Sequence, residues 1–259
     1  MRRSKAGILA GGRVPPLALL ACVLGIALVR GAHAGGGINL TWGEGCWADN
    51  PQTVQTFACD TNVGTFAMTA SFVPSIDIRQ FDIFQFEIDL QADSPNLPDW
   101  WQFCSVGGCR NGALTGTAAF NSTVGACAFA WPGSSPTLAL NWRTPGACGG
   151  GVIAANRGQV FGTVSIPGVV DTTAHRGTEY YAVRLNIDAQ KTIGGAACGG
   201  CSVPVTIVLN EIDLGGVGED KITSPLANTC LRWQAAGTTP CSATPVRNMT
   251  WGAIKSFYR

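Results

Sequence analysis

Between Phe84 and Gln91 the chain alternates without a break. Phe84, Phe86, Ile88 and Leu90 are interleaved with Gln85, Glu87, Asp89 and Gln91. Side chains on an extended backbone point to opposite faces with a period of two, so this segment reads as a strand with one buried and one solvated face. The pattern recurs. Phe66, Met68, Ala70 and Phe72 share a face up to Pro74, Val160, Val164 and Ile166 share one up to Pro167, and Tyr181, Val183, Leu185 and Ile187 share one. In Val203 to Leu214 the apolar parity switches near Asn210-Glu211, which predicts a β-bulge or a strand buried on both faces. Shorter strands are expected at 38–42, 113–120, 127–131 and 230–234, and Asp220 to Leu226 has room for one helical turn. With 34 glycines and only 13% charged residues, the chain is expected to be all-β. The architecture that fits is a two-sheet antiparallel β-sandwich or jelly roll with disulfide-pinned loops.

The first 34 residues read as a cleavable signal peptide. Arg2, Arg3, Lys5 and Arg13 precede the uncharged stretch Val14 to Val29, and Ala32-His33-Ala34 offers small residues at a cleavage site. The apolar stretch contains Pro15 and Pro16 and is shorter than the roughly 20 residues of a membrane span. Leu19-Leu20-Ala21-Cys22 loosely resembles a lipobox, but apolar residues follow Cys22 where a polar tether would be needed. Residues 35–259 are then one β domain, and no second apolar run of membrane length follows. Five of the 17 basic residues leave with the leader and none of the 16 acids, so the mature chain has net charge −4. That excludes the basic footprint of a nucleic-acid binder.

Ten of the 11 cysteines remain after cleavage. An even number in an exported chain reads as a disulfide framework in an oxidising, extracytoplasmic compartment: periplasm, cell surface or medium. Ten cysteines allow about 945 pairings. Spacing favours five local pairs: Cys46 with Cys59, Cys104 with Cys109, Cys127 with Cys148, Cys198 with Cys201, and Cys230 with Cys241. Cys198-Gly-Gly-Cys201 has the redox CxxC spacing. It precedes a Val-rich strand and not a helix, so a structural disulfide is expected.

Several residue groups carry chemistry. Glu87 and Asp89 share a strand face, as do Glu211 and Asp213 if no bulge intervenes. Residues two apart on a strand are separated by about 6.6 Å, near the spacing of paired glycosidase carboxylates. No flanking residue in the sequence looks built to raise a carboxyl pKa, so a solvated sheet face is the plainer expectation. His175 is the one mature histidine. It disfavours most metal sites, and without a Gly-x-Ser-x-Gly motif it does not build a triad. Acidic turns at Asp93 to Asp99 and Glu219-Asp220 lack regular calcium-loop spacing. No cofactor or metal is expected. The strongest binding hint is Asp99-Trp100-Trp101, where an extended segment would bury one indole and expose the other. Trp131 and Trp142 offer a second aromatic surface. Asn39, Asn121 and Asn248 each begin a glycosylation sequon, on which no functional reading is built.

Leu40-Thr41-Trp42, Phe57-Ala58-Cys59, Ser71-Phe72-Val73-Pro74, Leu97-Pro98-Asp99-Trp100-Trp101, Gly177-Thr178-Glu179-Tyr180-Tyr181, Ile207-Val208-Leu209-Asn210 and Trp251-Gly252 together resemble a group of uncharacterised secreted, cysteine-rich bacterial β-sandwich proteins. The resemblance spans most of the mature chain and implies bacterial export, but no activity. Phe81 to Leu90 with its following acidic turn also looks like a strand of cohesin-type or carbohydrate-binding sandwiches, a likeness of fold alone. The functional expectation is a non-catalytic exported module that binds a glycan or another cell-surface component. The alternatives are a secreted hydrolase using strand-borne carboxylates and a purely structural extracellular protein.

Overall fold

The computed structural model describes residues 37–120, 126–145, 154–168, 171–223 and 228–241. The leader, Cys148, Asn121, Asn248 and the segment 251–259 expected to dock on the domain lie outside these. Twelve strands follow in chain order: β1 Gly37–Trp42, β2 Val54–Gln55, β3 Thr65–Val73, β4 Ile78–Ala92, β5 Leu114–Thr117, β6 Thr137–Arg143, β7 Arg157–Ser165, β8 Thr173–Ala174, β9 Tyr180–Asp188, β10 Val205–Val217, β11 Asp220–Thr223 and β12 Cys230–Trp233. Their order is β1-β3-β9-β5 in one sheet and β2-β12-β10-β4-β7-β6 in the other, where β11 also pairs with β10 and β8 with β4. Every strand pairing is antiparallel except β2 with β12, which is parallel. Residues 220–223 are a strand, not a helical turn, because Asp220 to Thr223 hydrogen-bond along β10 as a hairpin. The expected strand at 127–131 reduces to one bridge at Ala128.

The two sheets pack together over the alternating residues. Phe84, Phe86, Ile88 and Leu90 from β4 face Met68, Phe72, Val183, Leu185 and Ile187 from β3 and β9, all at most 1% exposed, while Phe66 is half-buried against them. The parity switch in β10 is a bulge. Asn210 is skipped in the ladder between Leu209 and Glu211, so Leu209 and Ile212 both reach the core. Two glycines permit close approach. A Cβ on Gly162 would sit 2.1 Å from the Phe86 ring, and one on Gly116 would sit 2.7 Å from Leu138 Cδ2. The second contact draws the edge strands β5 and β6 together across the open side of the two layers.

The cysteines are not paired locally. The bridges are Cys46–Cys127, Cys59–Cys201, Cys109–Cys198 and Cys230–Cys241. Of the five pairs that spacing favours, only the last forms. Cys104 is also disulfide-bonded, but not to Cys109, which is held by Cys198. The reason is topological: residues 46, 59 and 109 lie on loops that return to the ends of distant strands. Cys198 and Cys201 therefore form no CxxC bridge and instead tie one loop to two others. Disulfides of this kind belong to an oxidising, extracytoplasmic compartment. Among the described residues no helix is long and apolar enough to cross a membrane.

Candidate functional site

The four tryptophans expected to offer a binding surface lie in the core. Trp100 and Trp101 are 0% exposed, Trp131 is 1% and Trp142 is 7%. Asp99 to Trp101 is a 3₁₀ turn and not an extended segment, so the two indoles do not fall on opposite faces. Both close one end of the layers against Trp233, with ring centroids 4.9 and 5.3 Å away. The Trp100 indole N–H donates to Thr192 Oγ1 at 3.0 Å. Trp131 stacks on Phe81 and Phe84 and donates to the Phe81 carbonyl at 2.6 Å. Asp99 is exposed but has no exposed indole beside it.

Arg110, 0% exposed, holds this end together. Its guanidinium lies 3.5 Å from the centre of the Trp100 ring and donates to the carbonyls of Trp100, Asp188 and Gln190. Burial pulls its pKa down to about 10.

Trp142 differs from the other three. It belongs to β6, a strand that the sequence reading passed over although Leu138, Leu140 and Trp142 alternate. Its ring packs edge-on against Phe103 at 5.2 Å, and its indole N–H, like that of Trp101, is buried without a hydrogen-bond partner. Trp142 also lines a cleft of about 480 Å³ where β5 and β6 face each other. Phe103, Leu114 and Leu140 supply apolar wall, Val106 stands at 76% exposure, and Asn111, Asn141 and Ser105 supply polar groups. That volume lies within the usual range of small-ligand sites, which combine apolar walls with a few polar groups.

The carboxylates form a second constellation on the outer face of the larger sheet. Glu87 is 5% exposed and Asp89 8%. The Gln159 amide donates to Glu87 Oε1 at 2.8 Å and to Asp89 Oδ1 at 2.9 Å, so these oxygens are at most about 5.7 Å apart, the sum of the two distances. The bulge sets Asn210 and Glu211 against Glu87, and the Asn210 amide donates to Glu87 Oε1 at 3.3 Å. Lys221 pairs with Glu211 at 2.9 Å. Burial pushes the Glu87 carboxyl from 4.5 up to about 7, with the Asp89 and Glu211 carboxylates adding to the rise, while Asn210 and Lys221 oppose it. Asp213 is also raised, first by burial. The expectation that nothing near this face perturbs a carboxyl is therefore overturned. The perturbation comes from the bulge and from cross-strand neighbours, which linear sequence does not display.

The remaining candidates are structural. Asp93 accepts from the backbone N–H and hydroxyl groups of Thr238 and Thr239, and Asp220 from the N–H and hydroxyl of Ser75. The acidic turns thus clamp loops. His175 is exposed and lies 3.8 Å from Asp77. Asn39 is 7% exposed and donates to Glu179, which leaves its sequon inaccessible. Cys46, Cys127 and Glu179 approach one another closely enough to suggest a metal site, but both sulfurs are committed to a disulfide.

No protein-family model matches the chain, and a search of curated proteins finds no match.

Proposed function

We propose that the mature chain is an exported, non-catalytic module of the bacterial envelope or medium that binds a glycan or another surface component in the cleft between β5 and β6. One observation carries this reading: the cleft sets the apolar wall of Phe103, Leu114 and Leu140 beside the exposed amides of Asn111 and Asn141. The disulfide framework and the resemblance to secreted bacterial β proteins support export. The test is a glycan-array screen of the mature domain, followed by titration of any hit against the variant Asn141→Ala. Binding that weakens in the variant supports the proposal. A screen without a ligand returns the protein to a structural role.

One observation favours a second reading, a hydrolase. Glu87, with its raised pKa, could donate a proton, and Asp89 lies no more than about 5.7 Å away, a bound that admits the carboxyl spacing of retaining glycosidases. Both carboxyls are nearly covered and neither lines the cleft, so this reading ranks second. Polysaccharide cleavage by the purified protein, abolished in Glu87→Gln, would reverse the order.

A further inference from the structure

The outer face of the larger sheet is buried at its centre, where an antiparallel sheet with one packed face is ordinarily wet on the other. Directly opposed residues of a ladder project to the same side, so the register maps this face. On β4, Glu87 is opposed by Glu211 of β10 and Phe161 of β7, and Asp89 by Val208 and Gln159. Gln85 is opposed by Asp213, and Val208 in turn by Cys230 of β12. Asn210 is 0% exposed, Val208 3%, Glu87 5% and Asp89 8%. The smaller sheet packs on the opposite side, against Phe86 and Ile88, so it is not what covers them.

The chain itself arrives on this face. The Thr206 hydroxyl donates to the Thr239 carbonyl at 3.1 Å, and Cys241 is bonded to Cys230. Residues 242–259 therefore begin at Cys230, next to Val208. These 18 residues include Arg247, Lys255 and Arg259, no acid, and the apolar Val246, Met249, Trp251, Ile254, Phe257 and Tyr258. From β12 across β10, β4 and β7 to β6 is four strand spacings, about 19 Å, whereas 18 extended residues reach about 60 Å. The charges also match. Glu87, Asp89, Glu211 and Asp213 lie together at the centre, with Lys221 paired to Glu211. Arg143, Arg157 and Arg232 stand at the margins, against the Phe161 ring, the Gln91 side-chain carbonyl and the Gly237 carbonyl. Burying carboxylates is costly unless counter-charge reaches them.

We propose that residues 242–259 dock across the outer face of the larger sheet, their apolar side chains covering Val208 and Phe161 and their three cations meeting the carboxylates around Glu87. A second copy of the mature chain would bring a net charge of −4 to the same acids, a poorer match than a segment of net charge +3. The segment is also tethered at the edge of the face by the Cys230–Cys241 bridge, and tethering raises its effective concentration to about the millimolar range. A face closed in this way holds Glu87 and Asp89 away from a polysaccharide, which weighs against the hydrolase reading and is separate from the glycan reading.

The experiment follows chymotryptic cleavage after Trp251 and Phe257 in the full oxidised mature chain, read by mass spectrometry beside a synthetic peptide of residues 242–259. At about 50 mM NaCl cleavage in the protein should be at least about tenfold slower than in the peptide. That protection should fall several-fold at about 500 mM, because salt screens ion pairs that are not fully buried. The triple variant Arg247→Glu, Lys255→Glu, Arg259→Glu alters no residue of the described fold and should lose most of the protection. On the face itself, Glu211→Gln with Asp213→Asn should reduce it several-fold. Lys221→Gln, at an exposed position, removes a competing cation and should increase it, and it serves if the double variant folds poorly. Cleavage of the wild-type protein at the rate of the peptide would overturn the docking. Protection that neither salt nor any variant on the face alters would overturn the seat on this face. Protection that falls as the protein is diluted would give the face to a second copy and overturn the intramolecular occupant.

Discussion

Replacing Glu87 with glutamine should stabilise the protein at neutral pH, and by an amount that depends on pH. In the folded chain the Glu87 carboxyl titrates at about 7, against 4.5 for the free group. At about 1.4 kcal/mol for each tenfold change in proton affinity, that difference is worth about 3 kcal/mol. The sign follows from linkage. An acid that is harder to ionise when folded costs nothing while both states are protonated, below pH 4.5. The cost grows between pH 4.5 and about 7 and is complete above. Wild-type protein should therefore lose up to about 3 kcal/mol of stability across that window through this group. Glutamine resembles the protonated acid, and its carbonyl can still accept from Gln159 and Asn210. Urea unfolding of both proteins at intervals from pH 4.5 to 8 is the assay. The two curves should coincide near pH 4.5 and separate as pH rises, with the variant more stable. If the variant is instead the less stable at pH 8, ionised Glu87 is a favourable partner on this face and the account of its burial is wrong.

Two further outcomes concern the scaffold. Replacing Cys59 and Cys201 with serine opens a loop of 142 residues and should cost about 5 kcal/mol, against about 3 kcal/mol for the 11-residue loop of Cys230–Cys241, as denaturant midpoints would show. Arg110→Lys cannot donate in the same planar fork to the carbonyls of Trp100, Asp188 and Gln190, so its melting temperature should fall by an amount equivalent to about 2–3 kcal/mol.

Alternation in the sequence carried most of the architecture. Phe84 to Leu90, Met68 to Phe72 and Val183 to Ile187 announce their core-facing side chains because an apolar residue at every second position is itself a linear pattern. The bulge at Asn210 was legible for the same reason, as a slip in that pattern. The cysteine partners were not, because spacing along the chain says nothing about which loops the sheets bring together. That error propagated. With Cys127 assigned to Cys148, the segment between them read as a loop, and the alternation of Leu138, Leu140 and Trp142 in β6 went unused. Without β6, the cleft it forms with β5 was not legible in the sequence. Trp100 and Trp101 were misplaced by a different cause, a 3₁₀ turn after Pro98 that breaks the two-residue period.

The sharing of Cys198 and Cys201 between two separate bridges has a biosynthetic consequence. In a chain exported as it is synthesised, Cys59 would emerge long before its partner is made. At synthesis rates of about 5–20 residues per second, the 142 residues between them take on the order of 10 s. During that interval Cys46 and Cys59 are joined by Cys104 and then Cys109, and when the Gly-Gly loop at last emerges its two thiols are closer to each other along the chain than to either proper partner. Oxidation in order of appearance would lock in the wrong set, so correct maturation depends on reshuffling mispaired bridges. The yield of native protein should follow the disulfide-isomerising capacity of the compartment that receives it more closely than that compartment's oxidising strength.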